Sequence, residues 1–123
     1  MKHITELKDS IEKILSKTVE GEIEWIRINP TTFAWIKNEQ GAEVGYLDQL
    51  KTTRVDLQSI EQSTTENKFI FQIRKMPTNH TVVLIDTSMQ DYEDLNDILE
   101  KLFLAILEYF DKKTVDHIED LLK

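Results

Sequence analysis

Three histidines, His3, His80 and His117, are the residues of this chain best suited to proton transfer or metal ligation, and their spacing favours neither. None stands in the i, i+4 relation by which a helix offers two imidazoles to zinc. The densest acidic stretch is DTSMQDYEDLND, residues 86–97, where Asp86, Asp91, Glu93, Asp94 and Asp97 could gather a divalent cation. It lacks the central glycine and terminal glutamate of a calcium loop. Acids in the first turn of a helix, where the macrodipole favours negative charge, account for the same residues, so no metal is expected. There is no Gly-x-Ser-x-Gly elbow, and Gly21, Gly41 and Gly45 are too scattered to build a phosphate-cradling loop. The absence of cysteine removes thiolate nucleophiles, thiolate metal sites and disulfides. Twenty-three Asp and Glu residues without geometry single out no acid–base pair. A non-enzymatic protein without a cofactor is the expectation.

The stretch KFIFQIRK, residues 68–75, interleaves basic and aromatic residues as a platform for single-stranded RNA does, but without that motif's glycines. Phe69, Phe71 and Ile73 alternate as a core face should, leaving Gln72 and Arg74 outward. Charge points away from nucleic acid as well. The net charge is -8, and residues 88–123 carry ten acids against four lysines, a surface that repels duplex nucleic acid and anionic membrane and attracts a basic protein. Such a run also serves simply as a solvated helix face.

INPTTFAWIKNEQG, residues 28–41, holds the strongest turn signal. Asn29 before Pro30 is steered to extended backbone, Pro30 suits the second position of a tight turn, and Thr31-Thr32 opens the next strand. Trp25 and Trp35, five residues either side of Pro30, are expected to meet across the hairpin. The alternative use of these rings is a small-ligand or enzymatic pocket between the sheet and the C-terminal helix, lined by Trp25, Trp35, Tyr46 and Tyr92.

The elements that must position these residues follow from periodicity. At 123 residues, 40% of them hydrophobic, the chain is sized for a single domain spanning 1–123. Ile4, Leu7, Ile11, Ile14 and Leu15 recur at helical spacing over 4–18, and Gly21 ends that helix. From Glu22 to Thr87, β-branched and aromatic runs (EIEWIRI, FAWIK, AEVGYLD, TRVDLQSI, NKFIFQIRK, TVVLIDT) alternate with turns at NPTT, NEQG, STTEN and MPTNH. Connections this short imply an antiparallel meander of five to six strands. A long helix follows, with Asp91 as N-cap and an apolar stripe of Tyr92, Leu95, Ile98, Leu99, Leu102, Ile106, Tyr109 and Phe110. The shifted register of Val115, Ile118, Leu121 and Leu122 suggests a break near 111–114. The fold class is therefore α+β, a sheet flanked by an N-terminal and a long C-terminal helix. No run approaches the length of a membrane span, and MKHITELKDSIEKIL lacks the apolar core of a signal peptide, so a soluble cytoplasmic protein is expected.

LFLAIL, residues 102–107, is the feature most suggestive of a partner. At about 100° per residue, Leu104 lies about 180° and Leu107 about 120° from Leu95, so Leu104 points away from the sheet. It must be covered by the N-terminal helix, or by a second subunit or partner. We expect the latter, with Leu104 and Leu107 as the contact and Glu100 and Glu108 as its polar rim. Size, acidity and helix–sheet–helix order loosely resemble the small chaperones of bacterial type III secretion and the acidic immunity proteins that neutralise toxins. The first resemblance implies a homodimer that holds an unfolded effector segment, and a helix between the third and fourth strands, where residues 50–66 here read partly as strand. The expected role is a protein-interaction module, secretion-chaperone-like, immunity-like or adaptor, using a protein partner or homodimer through the C-terminal helix.

Overall fold

The computed structural model describes residues 3–36, 43–55 and 63–123. Helix α1, Ile4–Val19, is followed by strands β1, Ile26–Asn29, β2, Thr32–Ile36, β3, Glu43–Val55, β4, Ser63–Lys75, and β5, His80–Asp86. A 3₁₀ segment, Gln90–Leu95, leads into α2, Asn96–Leu121. The five strands form one antiparallel sheet in the order β1-β2-β3-β4-β5, so the expected α+β meander between two helices is what the chain adopts.

Local chemistry sets the corners. Helix α1 stops because Gly21 takes a left-handed φ of 78°. This lets its N–H reach Thr18 O (3.1 Å) and the Glu22 N–H reach Lys17 O (2.8 Å), which satisfies carbonyls that the helix leaves open. The Asn29–Thr32 stretch is a corner, as its sequence indicates. Asn29 pairs with Thr32 across a two-residue loop, and Asn29 Oδ1 accepts from Thr31 N–H at 2.9 Å and from Thr31 Oγ1 at 3.2 Å. The β4–β5 turn occupies residues 76–79, with Asn79 in the left-handed region at φ 59°.

Register assigns the two faces of the sheet. Phe33, Leu47, Phe71 and Ile85 share one row of the inner face, and Trp35, Gly45, Ile73 and Val83 the next. Helix α2 covers this face. Phe103 packs edge-on to Phe33 at 5.4 Å and tilted against Phe69 at 5.5 Å, while Phe110 stacks on Phe33 at 5.5 Å. Leu95, Leu99, Leu102 and Ile106 are fully buried beneath it, as the stripe predicts, and Phe103 joins them from the helix flank although the stripe omits it. Helix α1 packs against α2 and the 3₁₀ segment, burying Ile11 and half-burying Leu7 and Ile14.

Four expectations need correction. STTEN is not a turn: its residues begin β4, paired with the end of β3, so Thr53–Val55 of the TRVDLQSI run complete β3 instead of starting a separate strand. Residues 56–60 of that run, and all of NEQG, lie outside the described residues. Asp91 does not cap the long helix; it sits inside the 3₁₀ segment, whose preceding residue Met89 makes no side-chain cap. No break occurs near 111–114, because α2 runs unbroken to Leu121. The register shift that suggested a kink belongs to a second stripe on the same helix.

Candidate surface of the long helix

Taking Leu104 as origin at about 100° per residue, Val115, Ile118 and Leu122 all fall within about 40° of it, on the side opposite the buried stripe. Leu104 is 55% exposed, and Val115, Ile118 and Leu122 are exposed as well. Helix α1 therefore does not cover Leu104. Of the other expected contact residues, Glu108 is exposed beside Leu104, Glu100 is half-buried, and Leu107 is half-buried on the flank, packed against the core. Glu108 and Asp111 fall inside the stripe, so it is apolar at both ends and acidic in the middle. From Asp111 onward every residue of α2 is exposed, because the helix outruns the layer it packs on. Beside the stripe, a notch of about 450 Å³ opens between the end of α1 (Val19, Gly21) and Ala105, Glu108 and Lys112 of α2.

The four aromatic residues proposed for a ligand pocket do not converge. Trp25 and Trp35 do meet across the β1–β2 hairpin, edge to face with ring centroids 5.0 Å apart, and both are buried in the core. Tyr46 is in register with Ala34, one residue from Trp35, and so lies on the opposite face of the sheet, where Arg74 stacks over it at 5.4 Å. Tyr92 sits in the 3₁₀ segment, half-buried against the core. A groove of about 1050 Å³ lies elsewhere, between α1 and the inner sheet face, floored by Trp35, Phe71 and Ile85 and edged by Lys13 and Lys17.

Buried polar groups hold this architecture together. Thr18, almost fully buried, accepts a bond from Trp25 Nε1 at 3.0 Å while donating to Ile14 O at 2.8 Å, which ties the Trp pair to α1. Thr87 accepts from the Phe69 N–H at 2.9 Å and donates to Asn96 Oδ1 at 2.6 Å, and Asn96 Nδ2 donates to Asn67 O at 3.1 Å. The start of α2 is thereby fixed to β4. Sequence reasoning missed both threonines, since a buried threonine differs from a surface one only by partners that come from distant elements.

The residues with reactive side chains stay apart. His3, His80 and His117 are all exposed, at the start of α1, the start of β5 and the outer part of α2. Asp86 Oδ1 is engaged by the N–H and hydroxyl of Ser88 at 2.9 and 2.6 Å. No helix among the described residues is long and apolar enough to cross a membrane.

Fold and surface together define an α+β protein with both helices on one side of an open five-stranded sheet and an apolar stripe on the solvent side of α2. Compared with protein-family models, curated proteins and solved structures, the chain finds no match.

Proposed function

We propose that this protein is a non-enzymatic interaction module that binds a basic partner protein through the solvent face of α2. The supporting observation is the stripe of Leu104, Val115, Ile118 and Leu122, carried on a helix that continues beyond its own support. Apolar side chains held on a rigid helix contribute to binding when a partner removes them from water. Glu108 and Asp111 within the stripe and Glu100 at its edge, in a C-terminal third that is strongly acidic, favour a partner whose contact surface carries Lys or Arg. A secretion-chaperone, immunity or adaptor role is compatible with such a surface. A second reading, capture of a small apolar ligand, has the groove beneath α1 in its favour.

Recovery of tagged protein from its native extract separates the two. One stoichiometric partner is expected with the parent chain and is lost with Leu104→Glu, whose circular dichroism and melting stay near the parent's. Ile106→Glu, which puts a charge at a fully buried site, unfolds the chain and calibrates the comparison. A small molecule copurifying in native mass spectrometry, with no protein partner, sinks the interaction reading in favour of the groove.

A further inference from the structure

The sheet's other face is rich in apolar side chains, and nothing among the described residues covers it. Ile26, Ile28, Ile36 and Leu84 are each about half exposed, and Val44, Tyr46 and Ile70 lie between them half-buried. Cross-strand register arranges this face in rows. The middle row runs Ile26–Ala34–Tyr46–Gln72–Leu84 across all five strands. On one side of it lies Thr32–Asp48–Ile70–Asp86, and on the other Ile36–Val44–Arg74–Thr81. One flanking row thus carries two carboxylates either side of Ile70, and the opposite row a single guanidinium on the same strand as Ile70.

We propose that this face binds a second copy of the chain, sheet against sheet, about a two-fold axis along the middle row. The charge pattern selects that axis. Rotation about it lays each flanking row on the other row of the mate, strand over like strand, so Arg74 lies over the mate's Ile70. The mate's Asp48 and Asp86 are then one strand to either side, about 5 Å laterally, within reach of a guanidinium across packed sheets. Rotation about the strand direction instead sets the acidic row on itself. The extent of the face is also sufficient. Five strands about 4.8 Å apart and three rows about 7 Å apart give a footprint of roughly 600 Å² once side-chain radii are added, with Leu50 and Lys68 extending it along β3 and β4. A stable dimer takes about 800 Å² of accessible surface from each partner, and a corrugated apolar face of that footprint supplies an amount of this order. This surface is distinct from the α2 stripe, so each reading can fail without the other.

Sedimentation equilibrium of the full chain tests it. The parent is expected to be a dimer, twice 14.5 kDa, at roughly 100 µM, an affinity that standard interfaces commonly exceed. Leu84→Glu, on the middle row and outside the core, should keep the parent's circular dichroism and weaken association by roughly a hundredfold. Arg74→Glu should weaken it by roughly tenfold or more, and adding Asp48→Arg should recover most of that loss because the pair is re-formed with reversed sign. Leu104→Glu should leave the dimer unchanged. A monomeric parent at that concentration overturns the proposal and leaves the face to a different protein. So does a dimer that survives Leu84→Glu, or one that Leu104→Glu dissociates. Failure of the Asp48→Arg rescue rules out the proposed axis.

Discussion

Gly45 is the point at which one added carbon should be felt most. It sits near the start of β3, directly opposite Trp35 on the inner face. A Cβ placed there would stand 2.5 Å from Trp35 Cζ3 and 2.7 Å from Cε3. The ring cannot retreat freely, since Trp25 meets it edge-on at 5.0 Å and Phe71 packs against it at 6.3 Å. In an unhindered strand, glycine to alanine gains about 0.5–1 kcal/mol from backbone entropy. Forcing a methyl into a filled core costs about 1–3 kcal/mol, more when rigid rings must move. For Gly45→Ala the clash wins, with a net destabilisation of about 2 kcal/mol. With a urea slope of about 1–3 kcal/mol/M, the unfolding midpoint should fall by about 1 M, followed by the fluorescence of Trp25 and Trp35 themselves. The cause is isolated by a double-mutant cycle. Trp35→Leu removes the obstructing ring, and in that background Gly45→Ala should be neutral or mildly stabilising. If Gly45→Ala is as stable as the parent, or if its cost persists unchanged beside Trp35→Leu, the close approach of ring and backbone is not what keeps glycine there.

The remaining predictions concern satisfied polar groups and the hairpin corner. Thr18→Val keeps the side-chain volume but strands Trp25 Nε1–H in the core, and should cost about 1–3 kcal/mol in urea unfolding; a loss under about 0.5 kcal/mol would mean that the indole finds another acceptor. Thr87→Val should cost a similar amount and should also raise hydrogen exchange at the start of α2, because Asn96 loses its donor there. Replacing Pro30-Thr31 by Asn-Gly should leave fold and partner binding intact, since that loop only turns the chain; a folded variant that has lost a partner would show the corner to be a contact.

What the sequence made legible was whatever local chemistry decides. The Gly21 stop, the Asn29-Pro30 corner, the Trp25–Trp35 contact and the alternation of Phe69, Phe71 and Ile73 all follow from neighbours within a few residues, and the structure has each of them. Leu104 was legible as a residue facing away from the sheet because helical phase is local too. The errors came where distant partners decide. Ser63-Thr64-Thr65 reads as a turn, yet β3 supplies the pairing that makes it strand. Val115 and Ile118 read as a broken helix, because a stripe was assumed to have only one face to serve. Gly45 carried a usable signal, since an isolated glycine in a strand pattern marks a close backbone approach, but the identity of the approaching ring needed the register of β2 on β3.

The two uncovered apolar surfaces call for different occupants, and charge is what distinguishes them. An antiparallel sheet can leave a polar face in water, but an apolar face gains from being covered, and among the described residues both helices lie on the same side, leaving the row of Ile26, Tyr46 and Leu84 without a layer. That face brings opposite charges together under a two-fold rotation, with each Arg74 set between the mate's Asp48 and Asp86. The α2 stripe does not. Glu108 and Asp111 occupy its middle, so two copies paired through it, parallel or antiparallel, would bring four carboxylates within about two helical turns of one another, with no basic residue of the stripe to offset them. Like charges brought together during desolvation oppose association, whereas a partner presenting Lys or Arg at that level would turn the same two acids into paired contacts. The geometry therefore favours self-association through the sheet and a basic, non-identical protein on the helix. A single assembly could hold both at once, because the helix layer separates the two surfaces.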